Sequence, residues 1–384
     1  MDWLNSRIKQ TLDARHKSGN YRVLGGIHEL IDFTSNDYLG LARSSIIKEA
    51  VRHRTDDIGI RNGSTGSRLL SGNYSLIEEL EELLSRIFDA EACLVFNSGY
   101  VANLALHATL ASKGDSIMYD QFAHVCIKEG AAMSRASSFP FYHNDPNDLE
   151  NRLRRAEGRS IISVESIYSM DGDECCLDDL ISLSQRYEAP IFIDEAHSTG
   201  VMGRSGNGYA CSKRKQEEIF ARIYTFGKAI GSHGACVCGS RSLIEYLKNF
   251  AAPFIYTTAM SPHNVLTVME AFYYLREKGE QLQLQLNENI QQFKKLIKVY
   301  GLEWMQVGIN SDSAIQPLIV SGNEEIKRTS AQLFDENFDI RPILSPTVRK
   351  GAERLRVCLH AYNTPEEIEA LLRILSAANL RKGE

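Results

Sequence analysis

The sequence lacks the features that would place it in a membrane, on a nucleic acid or around a structural zinc ion. No apolar run reaches the roughly 18 residues of a membrane-spanning helix. The net charge of −6 gives no electrostatic basis for binding nucleic acid, and the eight cysteines include no C-x-x-C pair. Residues 1–17 are polar, without the apolar region of a signal peptide. We therefore expect a cytoplasmic protein with reduced cysteines that contacts neither membrane nor nucleic acid.

The composition is that of an ordinary α/β enzyme. The chain has 384 residues, of which 43% are hydrophobic and 24% charged, so it can bury a large core. It contains no internal repeat and no linker rich in proline or glycine. We predict an N-terminal arm and segment over 1–44, a large domain over 45–280 and a smaller α+β domain over 281–384.

Short apolar strands alternate with amphipathic helices through the predicted large domain, which favours a mainly parallel sheet covered by helices. The predicted strands are Ala92–Phe96, Ser116–Tyr119, Ser160–Glu165, Pro190–Asp194, Ile223–Phe226 and Ala235–Gly239. The predicted helices include Tyr74–Phe88, Tyr100–Leu110, Leu177–Tyr187 and Ser242–Phe250. Beyond a helical stretch at about 263–299, the predicted strands are Ala314–Val320, Asp339–Ile343 and Arg354–Leu359.

A lysine and an acid follow two of these strands. Lys228 stands in a glycine-flanked turn after one strand, and Asp194 ends another, with His197 three residues later. Pyridoxal phosphate (PLP) chemistry needs a lysine amine that binds the aldehyde as a Schiff base and a carboxylate that keeps the pyridine nitrogen protonated. Either residue alone would be an ordinary strand-end side chain, but together they favour this cofactor.

Further candidates lie at strand ends, where open parallel sheets bind their ligands. Asn97-Ser98-Gly99-Tyr100 leads from a strand into a helix, and such a helix start attracts a phosphate. Thr225 adds a hydroxyl three residues before Lys228, and His124 could stack on a planar ring. Alternatively, the residues 97–100 are an ordinary helix N-cap, and His124 is a cap or surface residue.

Two other motifs resemble known binding sites but lack residues or an arrangement that those sites require. The residues 194–197 spell the Asp-Glu-Ala-His box of a helicase class, but the phosphate loop that helicases also need is missing from the sequence. The glycine-rich segment 203–208 has the wrong glycine order for a dinucleotide-binding turn and lies well beyond its strand. Neither a helicase nor a nicotinamide enzyme is therefore expected.

Several ordered motifs, spread over nearly the whole chain, together resemble the α-oxoamine synthases, which are fold-type I PLP enzymes. The resemblance implies an α/β fold-type I transferase with a mainly parallel, seven-stranded type of sheet, a smaller C-terminal domain and a homodimer. The motifs are Phe33–Leu41, Gly63–Gly72, Ser166–Asp173, Asp194–Gly208 and Thr225–Lys228.

The resemblance also implies roles for individual residues. In the cofactor site, Lys228 corresponds to the Schiff-base lysine, Asp194 to the acid at the pyridine nitrogen, and His124 to the stacking histidine. The matching contacts to the ring hydroxyl are Ser169 and His197, those to the phosphate are Gly99, Tyr100 and Thr225, and those to the partner subunit's phosphate are Thr257 and Thr258. The matching substrate contacts are Asn36, Thr347, Arg356, which would take the amino-acid carboxylate, and Arg22, the nearest candidate for an N-terminal arginine.

The implied activity joins an amino acid to an acyl thioester with loss of CO2. Residues 67–72 and 345–348 most resemble the biotin-pathway member, which condenses L-alanine with a pimeloyl group on CoA or on a carrier protein. One departure is Ser232-His233, where smaller residues are usual. The alternatives are a family member that uses glycine or serine, a fold-type I aminotransferase or lyase, and a scaffold that has lost the cofactor.

Overall fold

The structure, a computed structural model, describes residues 2–24, 29–58 and 60–378. Across these ranges the strands are β1 (Ile31–Asp32), β2 (Ala92–Phe96), β3 (Ser116–Asp120), β4 (Ser137–Phe141), β5 (Ser160–Glu165), β6 (Ile191–Asp194), β7 (Ala221–Thr225), β8 (Ala235–Gly239), β9 (Ile315–Ile319), β10 (Phe338–Asp339), β11 (Pro342–Ile343) and β12 (Arg354–Cys358). The α-helices are α1 (Asp2–Lys17), α2 (Ser45–Ile58), α3 (Ser75–Ile87), α4 (Gly99–Leu110), α5 (Val125–Met133), α6 (Pro146–Arg155), α7 (Leu177–Tyr187), α8 (Gly208–Ser212), α9 (Arg241–Phe250), α10 (Ala252–Ile255), α11 (Pro262–Val299), α12 (Asn323–Asp335) and α13 (Pro365–Ala377).

The chain divides into two compact units. The larger unit comprises residues 36–169 and 173–286, and the smaller unit comprises 1–35, 170–172 and 287–384. The boundary at 286/287 falls inside α11, so this helix contributes residues to both. The predicted domain limits at 44/45 and 280/281 stay a prediction.

The larger unit is built on a seven-stranded sheet with the order β2-β8-β7-β6-β5-β3-β4. The central neighbours β7, β6, β5, β3 and β4 run parallel, whereas β8 is antiparallel to both β7 and β2. Consequently β2, β3, β5, β6 and β7 all end at the same edge of the sheet, and β8 ends at the opposite edge.

Both faces of this sheet are buried along its other six strands, as expected for parallel strands with helical connections, whereas the edge strand β4 is largely exposed. Successive residues point to opposite faces, so Ile161 joins one apolar cluster and Ile162 another. The first cluster takes in residues of α4 and α9, and the second takes in residues of α6 and α7. The carboxyl ends of the strands are therefore held on a rigid, close-packed platform.

The smaller unit has an antiparallel sheet of order β11-β12-β9 and a parallel pair, β1 with β10. The helix α13 begins with a capping box, in which the Thr364 hydroxyl accepts from the Glu367 N–H and the Glu367 carboxylate accepts from the Thr364 N–H. Its apolar face is buried, with Ile368, Leu371 and Leu372 shielded from solvent. This unit thus has its own apolar core.

The predicted fold class is confirmed, and the main departures concern short elements. The strand β4 was not predicted, because its sequence Ser137-Ser138-Phe139-Pro140-Phe141 carries two serines and a proline that an edge strand tolerates. The single strand predicted over Asp339–Ile343 is instead two short strands, β10 and β11, which pair with different partners.

The prediction of reduced cysteines is wrong for one pair. Cys93 and Cys238 form a disulfide between β2 and β8. The two residues lie directly opposite each other in the ladder, with a Cα–Cα distance of 4.4 Å, which suits a disulfide. They are 145 residues apart in sequence, so their proximity depends on the strand order, which the sequence alone did not reveal.

Candidate active site

Five strands of the larger unit deliver polar residues to one edge of the sheet. The loops after β2, β3, β5, β6 and β7 carry, in that order, Gly99, His124, Ser169, His197 and Lys228. Residues of four of these loops line one cavity of about 180 Å³ together with Asp194, the last residue of β6. Seven of the ten predicted cofactor residues of this unit therefore line one cavity.

Asp194 is held by two hydrogen bonds. Its Oδ1 accepts from the backbone N–H of Ala196 at 2.9 Å, and its Oδ2 accepts from the side-chain amide of Asn103 at 2.7 Å. The residue is almost fully buried, so the two bonds fix the direction of the carboxylate while it remains part of the cavity wall.

The start of α4 forms a close-fitting cradle. The helix is capped by Ser98, whose hydroxyl accepts from the Val101 N–H at 3.2 Å. A Cβ atom on Gly99 would lie 2.5 Å from the Thr225 hydroxyl, so a side chain at this position would have to displace Thr225. The absence of a side chain leaves backbone N–H groups and a hydroxyl beside each other, which suits a phosphate group.

Lys228 follows β7 in the connection to β8 and is half-buried in the cavity wall. Its positive charge acts on two neighbouring groups: it adds to the burial that lowers the pKa of His124, and it partly offsets the burial that raises the pKa of Glu165. The lysine therefore lies close to the same groups as Asp194, in a place where its amine could bind an aldehyde.

His124 caps the start of α5 and is anchored by a buried acid. Its backbone N–H donates to Oε1 of Glu165 at 2.5 Å, and the other oxygen of Glu165 accepts from the Ser169 N–H at 3.2 Å. Burial lowers the pKa of His124, an effect that Asp194 partly opposes. Burial and the charge of Asp194 raise the pKa of Glu165 to about 8. One carboxyl group thus positions two loops of the cavity.

His197 belongs to a short hydrogen-bonded chain. Its Nδ1 lies 2.7 Å from the Tyr38 hydroxyl, which donates to Oδ1 of Asn36 at 3.0 Å. Since that hydroxyl has a single proton, the Nδ1 atom of His197 donates to it. Asn36 is therefore connected to the predicted cofactor residues through Tyr38.

Thr257 and Thr258 lie beside the end of β2. The side-chain amide of Asn97 donates to the Thr258 carbonyl at 2.7 Å and to the Thr257 hydroxyl at 3.3 Å. Both threonines are thus held beside Asn97, which precedes Gly99 by two residues in the same chain. Their predicted contact with a partner subunit's phosphate stays a prediction.

Three predicted substrate residues belong to the smaller unit. Arg356 lies on β12, where its guanidinium donates to the Cys358 sulfur at 2.9 Å. Thr347 is exposed in a turn, with its N–H donating to the Leu344 carbonyl, and Arg22 is exposed before the first strand. Their roles toward substrate stay predictions.

Three residues of the site were missed from the sequence. Glu165 ends the predicted strand Ser160–Glu165 and so met the strand-end criterion that singled out Asp194. Asn103 stands four residues after Gly99, which places both on the same face of α4. Tyr38 had no comparable signal, because it reaches His197 from a loop 159 residues away.

The family profile described as aminotransferase class I and II matches residues 28–375. The chain belongs to this family. It is 35% identical to the 8-amino-7-oxononanoate synthase of Alcanivorax borkumensis, with 96% of this chain and 94% of the relative covered. It is also 35% identical to the enzyme of that name from Lysinibacillus sphaericus, with 96% and 97% covered. The predicted resemblance to the α-oxoamine synthases is confirmed, and with it the expectation of a PLP-dependent acyltransferase.

Solved structures of the same enzyme class share the fold. The serine palmitoyltransferase of Sphingomonas wittichii superposes with a TM-score of 0.85 at 27% identity, covering 91% of this chain and 87% of that one. The 8-amino-7-oxononanoate synthase of Francisella tularensis gives a TM-score of 0.76 at 29% identity, covering 91% and 97%. A third structure, of serine palmitoyltransferase (SPT) with PLP as an internal aldimine, gives a TM-score of 0.88 at 25% identity, covering 97% of each chain.

The residues of the cavity fit PLP. The cradle at Gly99 has room for a phosphate because no Cβ is present, Asp194 offers a fixed carboxylate, and Lys228 offers an amine. Among the described residues, three cysteine sulfurs, those of Cys93, Cys236 and Cys238, lie close enough to share a metal ion, but two of them form the β2–β8 disulfide. In the same part of the chain, every helix is too short or too polar to cross a bilayer.

Proposed function

We propose that this protein condenses L-alanine with a pimeloyl thioester to give 8-amino-7-oxononanoate, CO2 and the free thiol, as a step of biotin biosynthesis. The observation that carries the proposal is the convergence of an amine, a fixed carboxylate and a small-residue cradle on one cavity. The substrate assignment is supported by relatives named for this product at 33–35% identity and by residues 67–72 and 345–348.

The reaction makes one carbon–carbon bond and breaks one carbon–sulfur bond and one carbon–carbon bond, while a proton is removed from the α-carbon and later replaced. The α-carbon of alanine loses a proton, attacks the acyl carbon and expels the thiolate, which takes up one proton. The bond to the carboxylate then breaks with release of CO2, and the α-carbon gains a proton, so that the overall reaction takes up one proton from solvent. Bound PLP supplies the electron sink for the negative charge at the α-carbon.

The residues of the chain would position and protonate the reactants. Asp194 would keep a proton on the pyridine nitrogen, and the neutral ring of His124 would stack on the cofactor. Lys228 would bind the cofactor covalently and carry the proton to and from the α-carbon. Arg356 would take the amino-acid carboxylate through two parallel hydrogen bonds, which a lysine could not reproduce.

The substrate can be tested directly. The purified protein, loaded with PLP, is mixed with alanine, glycine or serine and with pimeloyl-CoA, acetyl-CoA or palmitoyl-CoA, and the products are identified by mass. We expect product and thiol release with alanine and pimeloyl-CoA, or with a pimeloyl carrier protein. A product from serine and palmitoyl-CoA alone would instead favour the serine palmitoyltransferase activity, which the high TM-scores of those structures make worth including.

We further propose a cytoplasmic homodimer in which Thr257 and Thr258 reach the phosphate of the partner subunit. Lys228→Ala protein is mixed with the double variant Thr257→Ala/Thr258→Ala under conditions that exchange subunits. If the threonines act on the partner subunit, mixed dimers contain one site free of both changes and regain part of the activity. Demonstrated exchange without recovery would contradict the shared site.

A further inference from the structure

Asn103 is an unusual residue for its position in the fold. It lies on α4, among Ala102, Ala105 and Leu106, which pack into the apolar cluster against the sheet, and it is completely buried. A buried amide needs hydrogen-bond partners to offset its desolvation. Both partners of Asn103 are acceptors that belong to the cavity: the Gly99 carbonyl at 3.0 Å and Oδ2 of Asp194 at 2.7 Å.

These two acceptors determine which way the amide points. The NH2 group must face Gly99 and Asp194, because the flipped amide would place its oxygen against a carbonyl and a carboxylate. The remaining atom, Oδ1, is buried without a partner among the described residues. All hydrogen bonding by this side chain is therefore directed at the two acceptors of the cavity.

The helical turn that carries Asn103 is itself tied to the sheet. His107, one turn later and completely buried, places Nδ1 2.8 Å from the Asn103 carbonyl and Nε2 2.7 Å from the Ser163 hydroxyl on β5. A carbonyl only accepts, so Nδ1 carries the proton and Nε2 accepts from Ser163. Burial lowers the pKa of His107 to about 4, so this link is neutral and does not change at physiological pH.

We propose that Asn103 is a positioning residue, whose amide holds the Asp194 carboxylate in one orientation toward the pyridine nitrogen of PLP. The same amide bonds the first residue of α4 through Gly99. One side chain thus fixes the distance between the predicted phosphate cradle and the predicted pyridine contact. The proposal rests on the proposed role of Asp194 but does not depend on which amino acid or acyl group reacts.

The first test replaces the amide by an apolar side chain of similar size. In Asn103→Leu, Asp194 loses a donor, so we expect the dissociation constant for PLP to rise by about 10-fold or more. Using PLP labelled with 15N at the ring, we also expect the NMR shift of the pyridine nitrogen to move toward its unprotonated value. Both measurements are made without substrate, so they stay informative if the proposed reaction is wrong.

The second variant, Asn103→Asp, provides a readout that a merely structural role would not produce. Below its pKa, which the neighbouring Asp194 raises, the introduced carboxyl is protonated and its single O–H can donate to Asp194, although the bond to the Gly99 carbonyl is lost. Above that pKa the two carboxylates repel each other. For Asn103→Asp we expect a PLP affinity close to that of the unmodified protein at low pH and a progressive loss of affinity as the pH rises. Asn103→Leu, in contrast, should bind PLP weakly at every pH.

Asn289→Leu serves as the matched control. Asn289 is a buried asparagine of the smaller unit whose amide donates to two backbone carbonyls, those of His360 and Asn363. If it lowers PLP affinity and thermal stability as much as Asn103→Leu, the effect is general destabilisation and the proposal is wrong. An unchanged PLP affinity and an unchanged 15N shift in folded Asn103→Leu would also overturn the proposal. If Asn103→Leu fails to fold, a PLP affinity of Asn103→Asp that does not vary with pH would overturn it instead.

Discussion

The two compact units offer different chemistry. The larger unit collects ionisable groups at one sheet edge, including Lys228, Asp194, Glu165 and His124. The predicted substrate residues of the smaller unit are two arginines, Arg22 and Arg356, and the hydroxyl-bearing Thr347. The difference follows from sheet topology, because parallel strands all end at one edge whereas antiparallel strands alternate. Variants of these cavity residues should therefore change cofactor binding and proton transfer, and variants of Arg22, Thr347 and Arg356 should change substrate affinity alone.

The largest expected effect comes from removing the amine of the larger unit. Lys228→Ala should reduce turnover by at least about 10³-fold while the protein stays folded, because the same residue binds the cofactor and moves the proton. Activity is measured as thiol release and folding by circular dichroism. A folded variant with normal turnover would show that another group performs this chemistry.

The next effect concerns the acid that faces the cofactor. Asp194→Asn keeps the shape of the side chain but cannot hold a proton on the pyridine nitrogen, so we expect PLP affinity to fall by about 10-fold or more. The substitution also places a new amide, at position 194, against the side-chain amide of Asn103. Equilibrium dialysis against PLP measures the effect, and an unchanged dissociation constant would remove Asp194 from the cofactor site.

A smaller effect is expected from the smaller unit. Arg356→Lys keeps the charge but loses the forked pair of donors, so we expect the KM for the amino acid to rise by about 10-fold. Affinity for PLP should not change. A clear loss of PLP affinity in this variant would show that the smaller unit also contributes to cofactor binding.

The smallest effect is on stability. His143 in the larger unit lies between Asp120 and Asp173, with contacts of 3.0 and 2.8 Å, and these bonds raise its pKa to about 10 despite burial. A raised pKa means that the stabilisation is complete below about pH 6.5 and is lost as the pH rises toward 10. The Tm advantage over His143→Gln should therefore shrink by at least about 2 °C between pH 6 and 10. A constant difference would contradict a charged imidazole here.

The sequence was sufficient where the signal is local. Strands such as Ala92–Phe96 and the residues directly after them could be predicted, because apolar runs and turn residues depend on neighbours in the chain. The β2–β8 disulfide and the contact of Tyr38 with His197 depend on strand order and loop packing, so they could not. Glu165 and Asn103 lie between these cases, since their position was predictable but their partners were not.

The reversed direction of β8 has a practical consequence for labelling and insertion. Gly239, at the end of β8, pairs with the first residues of β2 and β7, at the sheet edge opposite Lys228. The turn that follows, into α9, therefore emerges where none of the proposed chemistry takes place. A fluorophore or a short peptide introduced at this turn should leave the reactive groups untouched, so the protein offers a far edge for immobilisation and a near edge for chemistry.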